Sequence, residues 1–377
     1  MDFSWTPKQS ELRESVVGFA QNDLAAEAPQ GQFAAAAWKR CADFGIQGFN
    51  IPKAYGGWGL DMLSTVYAME GFGYGCPDPA FSYALSAQMW SLQPALQHFG
   101  SEKQKQEYLL PLCRAELMGS FAMTEPESGS NTANLKTLAT KKLDTYVITG
   151  TKEFVTFGPL ADFALIFAST NPGHGAWGTS AFLIDKGTPG FVQSEALEKF
   201  GLHSTPLGKF ELDHCEIHES QRLGPEGVGM SIFSKVMESE RAYILTPHLG
   251  AMERQLEQTI TFVKDRQQGG VSIGKYQSVS NRIVDMKLRL ELAKMMLYKT
   301  AWLQDTGQSL QIEAPLTKLC LSESFVSSSL DSIRTFGARG FMQKYSVGGD
   351  LMDAVGSLIY GGTADIQRMV IARLLGL

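Results

Sequence analysis

The sequence predicts an α+β multidomain fold: a helical N-terminal domain, a middle β-sandwich or barrel, and a C-terminal helical bundle. Three observations carry this. Apolar residues repeat with helical spacing at both ends of the chain. Between them lie short β-type runs bounded by turn residues. The 377 residues exceed what one ordinary core organises. The boundaries fall at 1–118, 119–224 and 225–377.

The first stretch opens on Thr6-Pro7-Lys8-Gln9, with threonine at the N-cap, proline at N1 and glutamine at N3, a capping-box arrangement. Ser101-Glu102-Lys103-Gln104 repeats the box ahead of a short helix. Between them lies the Gly/Pro-rich loop from Ile51 to Asp61. In the middle stretch, Thr145–Thr156 reads as strand, turn, strand around Thr149-Gly150. Phe163–Ser169 and Ala181–Asp185 read as short strands, and Phe210 and Leu212 alternate with polar neighbours. Beyond residue 228 long helices return. Ile283, Met286, Leu290, Ala293, Leu297 and Ala301 step by three or four along one face. Ala314-Pro315 starts a further helix, Gly337 ends it, and a last helix pair turns around Gly361-Gly362.

Composition narrows the function. The net charge of −6 carries no nucleic-acid footprint. No apolar run approaches the roughly 18–20 residues that span a bilayer. The N-terminus has neither a basic nor an apolar leader segment. The five cysteines are scattered without a CxxC pair, which fits a reducing cytoplasm.

Five segments are candidates for chemistry. Phe121–Thr132, FAMTEPESGSNT, is an irregular Pro/Gly loop rich in hydroxyls, either an anion-holding loop or a surface turn. In Lys152–Gly158, Phe154 and Thr156 are two apart and face one side of a strand. They suit either a flat heterocycle or an ordinary core. Glu240 falls on an apolar helical stripe of Phe233, Val236, Met237, Tyr243 and Ile244. No cation stands three or four residues away, so burial raises its pKa and makes it a candidate base. A tertiary salt bridge, or a stripe edge in solvent, is the alternative. Glu238 and Arg241 point to other faces. His214 and His218 have the spacing of a helical metal pair, but on a strand they stand roughly 13 Å apart, so no metal is expected. Tyr360–Arg368 holds a double glycine that either approaches a ligand or turns between helices.

Taken in order, these segments resemble the acyl-CoA dehydrogenase family along the whole chain. Phe121–Thr132 resembles TEPxxGSD, Gly150–Gly158 NGxKxWITNG, Arg266–Gln277 RxxFGxxxxxxQ, Tyr360–Arg368 YEGTxxIQR, and Ile51–Asp61 IPExYGGxGL. The resemblance implies a C-terminal four-helix bundle and FAD held between the domains. It implies flavin contacts from Phe121, Met123, Thr124, Phe154, Val155 and Thr156, with Ser130 near the cofactor phosphate or the substrate. Gly337, Gly362, Thr363 and Asp365 join them, and Glu238 and Arg241 border the substrate. Arg266 and Gln277 reach a second subunit's FAD, which implies a homodimer or homotetramer.

The implied reaction is α,β-dehydrogenation of an acyl thioester, with oxygen or an electron-transfer flavoprotein as acceptor. The usual glutamate of YEGT is Gly361 here, which leaves its backbone N–H to polarise the thioester. Glu240-Arg241 instead resembles the base placement of isovaleryl-CoA dehydrogenase. Gly269, Arg334 and the MDAV of Met352–Val355 depart at positions that serve FAD. A base on the bundle with Gly361 is similar to the carrier-protein dehydrogenases of natural-product pathways, prolyl-carrier-protein dehydrogenases among them, and points to a carrier-bound thioester over a CoA ester. A short or branched acyl-CoA substrate, a flavin monooxygenase, and a flavin-poor binding protein on the same fold are the alternatives.

Overall fold

A computed structural model describes residues 4–24, 31–345 and 347–377. The helices of the first part are α1 (Pro7–Asn22), α2 (Ala35–Phe44), α3 (Met62–Gly75), α4 (Pro79–Ala87), α5 (Gln93–Phe99), α6 (Glu102–Gln104) and α7 (Leu110–Cys113). Both capping boxes form: Thr6 with Gln9, and Ser101 with Gln104. Single π turns, Gln88–Leu92 and Lys105–Leu109, join α4 to α5 and α6 to α7. Each stands just ahead of a proline, Pro94 or Pro111. Proline has no N–H for the carbonyl four residues back and its ring collides with it, so the helix widens by one residue.

The sheet follows. Its strands are β1 (Gly119–Ala122), β2 (Leu138–Lys142), β3 (Thr145–Thr156), β4 (Phe163–Ser169), β5 (Thr179–Asp185), β6 (Phe191–Gln193), β7 (Leu207–His218) and β8 (Arg222–Leu223). They run in the order β6-β7-β3-β2-β4-β5-β8, with β1 parallel to β4. The continuous apolar run of β4 is buried on both faces. Ala164, Ile166 and Ala168 pack inside the β-domain with Tyr146, Phe182 and Phe210. Phe163, Leu165 and Phe167 pack against Leu92, Leu96 and Val236 of the helices.

One sequence expectation is corrected here. Thr145–Thr156 is a single strand without a turn at Thr149-Gly150. Strand β7 pairs along all of β3, and the register slips between Ile148 and Gly150 and again between Lys152 and Val155. The glycine marks a bulge, which bends a strand without reversing it.

The last part contains α8 (Gly229–Tyr243), α9 (Thr246–Asp265), a hairpin of β9 (Gln267–Gln268) and β10 (Val271–Ser272), α10 (Gln277–Asp305), α11 (Glu313–Phe336), α12 (Val347–Ser357) and α13 (Ala364–Leu374). Helix α11 packs against α8, α9 and α10. The predicted face of α10 is buried from Met286 to Ala301. Helix α3 lies directly on α9: a Cβ at Gly73 would stand 1.7 Å from the Pro247 carbonyl, so only glycine permits this crossing. That contact fixes the N-terminal helices to the bundle, and a cavity opens where both meet the β-domain.

Candidate active site

A cavity of about 710 Å³ lies between the three parts. Its β-domain wall is the loop after β1 and the end of β3: Phe121, Met123, Thr124, Ser130, Phe154, Val155 and Thr156 all line it. The loop is held from beneath. Lys152, fully buried, donates to Glu125 at 2.7 Å and to the Met123 carbonyl at 3.1 Å. Glu125 also accepts from the Lys136 and Thr137 backbone amides. Burial pushes the Lys152 ammonium down to about 8, against the pull of Glu125. Burial raises the Glu125 carboxyl, but Lys152 and the two amides outweigh it and hold it below the ordinary carboxylate range. At neutral pH the pair is ionised and ties the loop to β3.

Phe154 reaches the cavity by a different route than strand alternation. It sits in the second bulge of β3 with φ +55°, and its ring is exposed. The bulge turns both Phe154 and Val155 onto the cavity beside Thr156. The Thr156 hydroxyl exchanges a hydrogen bond with Tyr83 at 3.3 Å.

The helical wall carries Glu240. Its apolar stripe on α8 buries it to 8% exposure. Burial raises its pKa, opposed by a hydrogen bond from Ser91 and by the charges of Arg241 and Lys318. Gly361 stands opposite with φ +66°, and a Cβ built there would lie 3.2 Å from a Glu240 carboxylate oxygen. The two positions therefore address the same point. Tyr360 lines the cavity with its ring 4.3 Å from that of Tyr83. Its hydroxyl meets His248 Nε2 at 3.3 Å, and burial holds that imidazole down to about 4, hence neutral. Gly362 and Thr363 complete this side, Thr363 capping α13 through the Ile366 amide.

The other predicted residues divide. Arg241, which the helical stripe turns to another face and the resemblance places beside the substrate, lines the cavity, half-buried, and burial lowers its pKa. Glu238 stays outside and pairs with Lys235 at 3.2 Å. Arg266 and Gln277 are exposed around the β9–β10 hairpin, away from the cavity of their own chain. Arg334 sits at the end of α11 beside Asp331, and Gly337 caps that helix. Asp365 lies in the first turn of α13 outside the lining, whereas Met352 and Val355 form part of it. Gly269 turns the hairpin. His214 and His218 fall on β7, as their strand reading has it, beside Asp213 and Asp144. Sequence reasoning missed Ser91, Tyr83, Lys318 and the loop 196–206. The proline behind the π turn was the available signal for Ser91.

The donor set suits an extended flavin nucleotide. Met123, Thr124, Thr156 and the exposed Phe154 border one cavity, with backbone, a hydroxyl and an aromatic ring available to a heterocycle. Hydroxyls of Ser130 and Thr132 and the start of α13 offer polar contacts to phosphate at its rim.

Comparison with known proteins agrees with this geometry. The acyl-CoA dehydrogenase N-terminal, middle and C-terminal domain models match residues 6–116, 120–215 and 227–376. An L-prolyl-[peptidyl-carrier protein] dehydrogenase of Pseudomonas fluorescens is 39% identical over the whole of both chains. A crystal structure of the prolyl acyl carrier protein oxidase AnaB superposes with a TM-score of 0.98 at 42% identity, covering 99% of this chain and 100% of that one. A structure described as PigA with FAD and proline gives 0.97 at 38%, covering all of both.

Proposed function

Because the chain belongs to the acyl-CoA dehydrogenase family, we propose that it is an FAD-dependent dehydrogenase of a carrier-bound aminoacyl thioester, of the prolyl type, with Glu240 as the base. The observation that carries the base assignment is the 3.2 Å between the Glu240 carboxylate and the side-chain origin of position 361. Glycine at 361 leaves the base to Glu240 and gives up its room to it.

Met123, Thr124, Phe154, Val155 and Thr156 would hold the flavin ring, with Phe121 behind them and Ser130 and Thr363 towards the phosphates. FAD supplies the acceptor for the hydride that leaves the β-carbon. Glu240 takes the α-proton. The Gly361 N–H polarises the thioester carbonyl as negative charge develops there. Tyr83 and Tyr360 stand beside the base and limit that end to a compact acyl group, which a five-membered ring satisfies. Homologues named for prolyl carrier proteins support the substrate class. Arg241, a cation on the cavity wall, would meet the thioester arm. Arg266, Gln277 and Arg334, remote from their own cavity, are assigned to a neighbouring subunit's FAD.

The experiment is single-turnover flavin reduction with prolyl-loaded carrier protein and with acyl-CoA esters, reading product mass for the loss of two hydrogens. Glu240→Gln retains FAD and slows reduction by at least ~10². Glu238→Gln, on the solvent side, leaves the rate within about twofold. Near wild-type reduction by Glu240→Gln would falsify the assignment.

A further inference from the structure

The double glycine before α13 has a separate reason for each of its members. Both hold a left-handed backbone, φ +66° at Gly361 and +84° at Gly362. At Gly361 a Cβ would crowd the Glu240 carboxylate, and at Gly362 it would stand 2.8 Å from Gln367 Nε2. Gln367, at the end of the first turn of α13, is fully buried behind the glycines and outside the cavity lining. Its amide donates to the Gly361 carbonyl at 3.1 Å and to the Gly362 carbonyl at 2.8 Å. Two carbonyls demand the NH2 end, so the partners fix which way the amide faces. Oε1 is then buried without a donor among the described residues. An unpaired buried acceptor is costly, and the two bonds to the turn offset it.

The near side of the turn is held as well. The Tyr360 amide donates to the Gly356 carbonyl at 3.2 Å. The Tyr360 hydroxyl meets His248 Nε2 at 3.3 Å, and its ring lies 4.3 Å from that of Tyr83. The peptide between Tyr360 and Gly361, which carries the Gly361 N–H, is thus anchored on both sides. Glycine has the most backbone freedom to lose, and a donor stabilises developing charge only when it is already aimed. We propose that Gln367 is a positioning residue for the Gly361 N–H: by gripping the two carbonyls that follow, it keeps a turn without side chains in the conformation that aims this donor at the thioester oxygen. The proposal rests on the Gly361 N–H polarising that oxygen.

The test uses full-length protein saturated with FAD and prolyl-loaded carrier protein. Isotope-edited infrared spectroscopy reads the labelled thioester carbonyl in Glu240→Gln, where it persists unreacted, and flavin reduction is followed in chains that keep Glu240. Polarisation places the carbonyl band of Glu240→Gln below that of the free thioester. Gln367→Met, of similar length without a donor, returns the band towards the free position in that background. With Glu240 present it lowers the reduction rate by about 10–10²-fold, as a misaimed donor should, and leaves KM little changed. If Gln367→Met does not hold FAD, Gln367→Asn, one carbon too short to reach both carbonyls, carries the same comparison with a smaller shift. A band that stays low in the double variant overturns the proposal alone, whatever the rate does, and so does a displaced band with an unchanged rate. A band at the free position in Glu240→Gln itself overturns the proposal together with the role given to Gly361. Should Glu240→Gln react, the base assignment fails, while the band, then read on the product thioester, still decides this proposal.

Discussion

At the scale of residues, the proposed site is a pair of neighbouring positions assigned to one task. Glu240 comes from α8 and Gly361 from the turn before α13, and they meet although 121 positions apart. A glutamate returned to position 361 in the Glu240→Gln background therefore reaches the same α-carbon. Its backbone must hold φ +66°, which costs a side-chain-bearing residue about 1–2 kcal/mol. Recovery is expected to be partial, roughly 10-fold above Glu240→Gln, read as flavin reduction. No recovery in a folded, FAD-loaded double variant would show that the two positions serve different atoms. The pH dependence has a definite sign. A base works ionised, and burial raises the pKa of Glu240, so with Glu240 as the proposed base reduction is expected to rise with pH through a midpoint above the usual carboxylate value. Lys318→Met removes a cation that favours the ionised form, and moves that midpoint further up.

At the scale of elements, what the sequence shows depends on whether the cause is local. Capping boxes at Thr6 and Ser101, the buried face of α10 and the apolar run of β4 follow from neighbours within a few residues. The Glu240 stripe was legible for the same reason. The unbroken course of β3 was not, because β7 decides it from some sixty residues away. Phe154 likewise owes its orientation to a register slip against β7. The stripe alone turns Arg241 away, and only the resemblance brings it to the cavity, because the cavity embraces more of α8 than one apolar stripe. The loop 196–206 shows the non-local case most fully. Asp353 of α12 accepts from the Leu202 amide at 2.6 Å, Asp78 accepts from Ser204 at 2.6 Å, and Thr205 donates to the Ala80 carbonyl. Phe200, Gly201 and Leu202 thereby line the cavity. Burial pushes the Asp353 carboxyl up to about 7, opposed by the Leu202 amide and by Lys199, with Asp78 and Asp350 adding to the rise. A folded-state pKa above the unfolded one gives stability that is full at low pH and lost as pH rises towards 7. Asp353→Asn keeps the acceptor and removes the charge. It is expected to raise the melting temperature at pH 8, by the equivalent of about 1–3 kcal/mol, by clearly less at pH 5, inside the window between the two pKa values, and hardly at all below pH 4. Equal effects at all three pH values would refute the link.

At the scale of the whole molecule, α10 carries two apolar stripes. Met286, Leu290, Ala293 and Leu297 face the core. Val284, Leu288, Leu292 and Met295 form the second and are exposed, the first three by more than half. One apolar side chain in solvent is ordinary, but a continuous row along a helix marks a contact surface. Arg266, Gln277 and Arg334, proposed above to serve a neighbouring subunit's FAD, lie apart from their own chain's cavity, at the neighbouring ends of α9, α10 and α11. A second copy that covers the exposed stripe with its own bundle would bring such ends to another chain's cofactor. Association and cofactor retention are then one event. Leu288→Glu with Leu292→Glu places charges in the row without touching the core stripe. Light scattering is expected to show the wild type as an oligomer at micromolar concentration and the double variant as a monomer. The variant should retain its helical circular dichroism and bind FAD at least ~10-fold more weakly, since the contacts proposed for Arg266, Gln277 and Arg334 leave with the partner. A monomer that keeps FAD at wild-type affinity would return the whole cofactor site to a single chain.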